Sequence, residues 1–133
     1  MANYYGNGRS NYVAVTDKDK FKKLCDERNL EFWEEKNGTV GCGSNDEGGE
    51  PNDYIEDEDT GEEVEMPDFM EEVSKILKDE EVFIWSHVGQ EKLRYLTGYS
   101  MAINNKGKTV GVNIDDIYKK AKKLGKNITQ ASY

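Results

Sequence analysis

Between Asp46 and Glu81 the sequence sets 17 acidic side chains against two basic ones, Lys75 and Lys78, so these 36 residues carry −15. Elsewhere the charge is balanced or positive. Residues 1–45 hold seven acids and seven bases, 82–102 hold one acid and two bases, and 103–133 hold two acids and seven lysines, which brings the chain to −9. A segment this acidic repels itself and belongs at the surface, where it attracts cationic partners and speeds encounter with them. Apolar residues are nevertheless threaded through it: Tyr54, Ile55, Val64, Phe69, Met70, Val73, Ile76 and Leu77. Burying them would anchor a hairpin and a helix and leave the carboxylates outside, whereas disordered acidic tails lack such anchors. Order is therefore expected over 52–57 and 67–78, with the loop 44–51 the most mobile part.

The remaining pattern reads as a single α+β domain over 1–133: a mainly antiparallel sheet with about three helices packed on it. Asn11–Val15 is a β-prone run, and Thr16 or Asp17 can cap a helix whose Phe21, Leu24 and Cys25 share one face, ending near Asn29. Asn37-Gly38 signals a tight hairpin between Leu30–Glu34 and Thr39–Gly43. Asn52–Asp57 and Glu62–Met66 form a second hairpin about Asp59-Thr60-Gly61. Pro67 suits the first position of a helix through Lys78. Strands follow at Glu80–His87, Arg94–Asn104 and Thr109–Asn113. A last helix from Asp115-Asp116 carries Ile117, Ala121 and Leu124 on its apolar face and four lysines opposite. The ends, 1–10 and 127–133, are expected to be flexible.

Several chemistries lack their residues. His87 is the only histidine, which excludes a histidine pair for zinc, and neither Cys25 nor Cys42 lies in a catalytic signature. Both read as unpaired thiols, in keeping with a cytoplasmic setting. His87, at the end of its strand, reads as structural or exposed. Asp57–Gly61 superficially resembles a calcium loop, but its glycine falls at the fifth position where an EF-hand needs it at the sixth. No glycine run ends in the Lys-Ser/Thr of a phosphate loop, and no apolar run approaches a membrane span. No catalytic residue, metal or cofactor is therefore expected, and no direct contact with nucleic acid or membrane.

What remains is the geometry of the carboxylates. Acids three or four apart on a helix stand about 5–6 Å from each other, and alternate strand residues are similarly spaced, so both elements can present a row of negative charge. Duplex DNA carries roughly one charge per 1.7 Å of axis, and its binding proteins present Lys/Arg grooves to match. The residues expected to meet such a groove are Asp53, Glu56, Asp57, Glu58, Asp59, Glu62, Glu63, Glu65, Asp68, Glu71 and Glu72. The alternative is an adaptor that binds through sheet aromatics, Tyr4, Tyr5, Trp33, Trp85 and Tyr99, with the acids only solubilising it.

Two stretches, Ser10–Asp17 and Glu91–Asn104 followed by Val112–Tyr118, resemble a family of small acidic proteins carried by phages and conjugative elements. The resemblance supplies no catalytic motif. It implies a setting in which small acidic proteins serve as anti-restriction or anti-CRISPR inhibitors, some by mimicking DNA. The partner so implied is a basic nucleic-acid-binding protein such as a CRISPR effector or restriction enzyme.

Overall fold

The first strand does not form at the β-prone run Asn11–Val15 but before it, at Tyr5–Ser10 (β1), within a stretch expected to be flexible. The computed structural model describes residues 4–44, 48–52, 54–56, 58–91 and 95–129. β1 is a central strand, antiparallel to Val40–Ser44 (β3) on one side and to Val82–Glu91 (β6) on the other. Gly6 and Gly8 explain both its position and its concealment in the sequence. A Cβ on Gly8 would lie 2.3 Å from the Gly49 carbonyl and 2.4 Å from Trp85 Cζ2, so only a bare backbone allows the segment 48–50 and the indole to close over the strand. Val13 and Val15 keep only isolated bridges, to Val40 and Leu77, yet both are buried.

Asp17 accepts a hydrogen bond from the Lys20 amide (3.0 Å) and starts helix α1, Lys18–Glu27, which buries Phe21, Leu24 and Cys25. Asn29 takes a left-handed conformation just beyond it. Strand β2, Glu31–Glu34, pairs with β3 through the Asn-Gly turn, with Gly38 at φ +88°. The second hairpin also forms, Tyr54–Glu56 (β4) against Glu63–Glu65 (β5), as a separate two-stranded sheet. Pro67 is not the first helical residue. Asp68 caps the helix by accepting from the Glu71 amide (3.2 Å), so α2 runs only from Phe69 to Ser74. It stops there because Ile76 and Leu77 are drawn into contact with the 13–16 segment: Thr16 N donates to Ile76 O and Lys78 N to Ala14 O.

Strands β6, Tyr95–Asn104 (β7) and Thr109–Asn113 (β8) complete a six-stranded sheet in the order β2-β3-β1-β6-β7-β8, antiparallel throughout. One face carries the core, in which Phe83 meets Phe21 and Phe69 edge-on and Phe69 meets Trp85 likewise. Helices α1 and α2 supply Phe21, Leu24, Phe69 and Val73 to it. The third helix, Asp116–Ala121 (α3), departs from the expected packing: it buries none of its residues, and Ile117 and Leu124 are exposed. Residues 127–129 have no regular structure, and 130–133 lie outside the described residues. Among the described residues no helix is long and apolar enough to cross a membrane.

Candidate functional site: the acidic hairpin and its root

Of the eleven acids singled out from the sequence, Glu58, Asp59, Glu62, Glu63, Glu65, Asp68 and Glu71 are exposed. Glu72 is half-buried, 3.4 Å from Lys75 Nζ, and Asp68 is engaged as the α2 cap. Asp53 and Asp57 lie outside the described residues. Glu56 stands in register opposite Glu63, as Tyr54 does opposite Glu65. Alternate residues of a strand share a face, so Glu63 and Glu65 point the same way, roughly 7 Å apart along the strand. Glu58, Glu62, Glu63, Glu65 and Glu71 belong to no ion pair among the described residues.

The expected anchoring is only half correct. Phe69, Val73, Ile76 and Leu77 are buried and Met70 half-buried, but Tyr54 is 55% and Val64 49% exposed, so these two hairpin residues do not insert into the core, and the side chain of Ile55 lies outside the described ones. The hairpin is held at its root. The Arg28 carbonyl accepts from the Asn52 amide (3.1 Å), just before β4, and Arg28 Nη2 donates to the Pro67 carbonyl (2.6 Å), just after β5. Arg28 thus ties both ends of the acidic hairpin to the end of α1. Its side chain is buried to 1% exposure, with the guanidinium 5.6 Å from the Phe69 ring, while Nε and Nη1 have no hydrogen-bond partner. No sequence signal marked this residue, because an arginine at a helix end ordinarily points to solvent.

The segment after β3 is similarly fastened. The loop 44–51 does not stand free where it is described: Ser44 belongs to β3, Gly49 is buried against β1, and Glu50 accepts from the Tyr99 hydroxyl at 2.6 Å. His87 lies within β6 rather than at its end, 2% exposed, with Nδ1 2.9 Å from the Gly49 carbonyl and Nε2 2.6 Å from the Tyr4 hydroxyl. A carbonyl only accepts, so Nδ1 carries a proton, and in the neutral ring Nε2 accepts from Tyr4. Burial, then the Glu50 hydrogen bond and charge, raise the Tyr99 phenol above its ordinary value. The cluster consumes its own donors and acceptors, and its evident work is to pin residues 48–50 onto the sheet.

Both cysteines are free and buried. The hydrogen bond with Cys42, then burial, raise the Cys25 thiol, which keeps it protonated and unreactive as a nucleophile. His87 makes its polar contacts with Tyr4, Gly49 and Glu50, and neither thiol is among them. Among the described residues no group of three His, Cys, Asp or Glu is placed to hold a metal ion. The five aromatics of the adaptor reading do not share a surface. Trp85 is buried, and Tyr4 and Tyr99 stack on His87 on the core face. Trp33 lies on the opposite face under the Arg9 guanidinium, 5.0 Å from it.

The chain matches no known family model, and no curated protein or solved structure matches it.

Proposed function

We propose that this protein is a non-enzymatic inhibitor encoded by a phage or mobile element. In this reading its acidic hairpin and the start of α2 enter the nucleic-acid-binding groove of a basic host defence protein, in the host cytoplasm. The observation that carries the reading is the exposure of Glu58, Asp59, Glu62, Glu63 and Glu65 on a hairpin whose two ends are tied by Arg28. A restrained ribbon presents its charges at set spacings, so less ordering entropy opposes binding than for a loose polyanion. Its small apolar footprint leaves charge complementarity as the source of encounter rate and specificity.

The test is capture of basic nucleic-acid-binding proteins from host lysate, followed by titration of the captured protein with a Glu58→Lys, Glu62→Lys, Glu63→Lys, Glu65→Lys variant. All four side chains are exposed, so the fold should survive. Affinity is expected to drop at least 100-fold and, in the parent, to fall steeply as salt rises, because exposed charges are screened beyond roughly 10 Å at 0.1 M salt. Undiminished affinity in the reversed variant would show that the acids are not the contact.

A further inference from the structure

Between α2 and residues 50–51 the core face of the sheet is left partly uncovered, and a cavity of about 200 Å³ opens there. The sheet supplies Trp85, Tyr99 and Met101 to it, with Trp85 and Met101 opposite each other across β6 and β7, and α2 supplies Phe69 and Met70. Trp85 and Phe69 are buried, whereas Tyr99 and Met70 are half-buried and Met101 is 40% exposed, so the cavity is reachable from solvent. Two carboxylates, Glu50 and Asp68, also line this otherwise apolar space, and among the described residues no lysine or arginine does. Glu50 is fixed in place. Both of its oxygens accept from the Tyr99 hydroxyl, at 2.6 and 2.7 Å, and Oε1 lies 3.4 Å from His87 Nδ1. A carboxylate has about four acceptor sites, so this half-exposed head keeps capacity for another donor.

Aromatic rings beside carboxylates without a counter-charge favour an organic cation: the ring faces attract it, and the carboxylate pairs with it. Size limits the occupant to one side chain. Small-molecule sites span about 300–1,000 Å³, whereas a cavity of about 150 Å³ holds a single benzene ring, and a guanidinium with its nearest methylenes is of that order. Between the two basic side chains the lining favours arginine, since a guanidinium is planar, is more weakly hydrated than an ammonium and stacks on aromatic rings. The location points to a protein as its source. Asp68 follows the end of β5 by three residues, so the cavity lies next to the exposed acids of the hairpin, which attract a basic chain.

We infer that this cavity is the receptor for a single arginine side chain of a basic protein partner, with Glu50 pairing to the guanidinium. The partner's identity rests on the inhibitor reading, while the site itself is a property of the isolated chain. Docking then has two parts: exposed acids on the hairpin raise the encounter rate, and one desolvated anchor holds the complex.

The experiment is an NMR titration of the full chain, isotopically labelled at the methionine methyls, with blocked tripeptides whose central residue is arginine, its neutral isostere citrulline, or lysine between two glycines. Met70 and Met101 line the cavity and Met66 does not, so their resonances report the site against an internal control. The arginine peptide is expected to shift Met70 and Met101 saturably, to leave Met66 nearly unmoved, and to bind at least ~10-fold tighter than the citrulline peptide. Glu50→Gln, which keeps an acceptor for Tyr99, should remove most of that preference. Equal responses to arginine and citrulline, or shifts that never saturate, would overturn the proposal, and tighter binding of the lysine peptide would overturn the choice of arginine. The Glu58→Lys, Glu62→Lys, Glu63→Lys, Glu65→Lys variant keeps Glu50 and Asp68, so its cavity shifts should still saturate even where affinity for a captured host protein is lost. Cavity shifts that vanish in that variant would mean that the peptide sits on the hairpin, and the cavity would not be the site.

Discussion

Replacing Arg28 by methionine separates two properties that a buried cation normally confounds. The bond from Nη2 to the Pro67 carbonyl is charge-assisted and contributes about 1.5–3 kcal/mol. The guanidinium over Phe69 adds about 0.5–2 kcal/mol. Glu27, 3.8 Å from Nη1 and 38% exposed, adds little. Against these stand two buried nitrogens, Nε and Nη1, that lack acceptors at about 1–3 kcal/mol each. The terms nearly cancel. Methionine keeps an unbranched apolar stem of similar reach, so Arg28→Met should change global stability by no more than about 1 kcal/mol. For a chain of this length that is a shift of about 3–5 °C in Tm, read by calorimetry. Arg28→Ala also empties the site and should lose about 2–5 kcal/mol, by analogy with other large-to-small core changes. The tie at Pro67 disappears in both variants, so amide hydrogen exchange over 54–65 should accelerate in Arg28→Met while exchange in β6 and β7 stays slow. Two results refute the reasoning: a loss above about 3 kcal/mol in Arg28→Met, which would mean the cation is fully satisfied, or unchanged exchange in the hairpin, which would mean its root lies elsewhere.

Further outcomes follow from the same contacts. Gly8→Ala should destabilise by about 1–3 kcal/mol in urea titration, because the Gly49 carbonyl and the Trp85 ring cannot both yield, while Gly125→Ala, with nothing within 4 Å, should lie within about 0.5 kcal/mol of the parent. Strand propensity alone predicts the opposite sign at Gly8, since alanine is favoured over glycine by about 0.5–1 kcal/mol. Phe83→Ala, fully buried between Phe21 and Phe69, should cost about 3–5 kcal/mol by thermal or denaturant unfolding. Tyr99 has a folded-state pKa above its ordinary 10.0, so the unfolded chain loses this proton first as pH rises. Its contribution is present in full below pH 10 and is lost above it, and Tyr99→Phe should flatten that alkaline fall in Tm.

What the sequence determined by itself is whatever rests on local chemistry. The capping carboxylate of Asp17, the positive φ that Asn37-Gly38 supplies and the 3.6-residue spacing of Phe21, Leu24 and Cys25 each act within a few residues of chain. Each therefore formed where it was expected. The charge block was legible for the same reason, and so was its place at the surface, because carboxylates stay in water unless they are paired. Tertiary structure decided the rest. Gly6 and Gly8 make a central strand only because residues 48–50 and the rings of Trp85 and His87 arrive from far along the chain to occupy the space their missing side chains leave. Arg28 becomes the root of the acidic hairpin only because Asn52 and Pro67 are brought to one place beside the end of α1, although Pro67 is 39 residues from Arg28. Ile117, Ala121 and Leu124 were expected to share one helix face, but α3 ends at Ala121 and leaves Leu124 beyond it, and a periodic pattern states that a surface needs cover without any information about what covers it. That is settled by which surfaces remain once the sheet has formed, and here α3 is left with none of its residues buried.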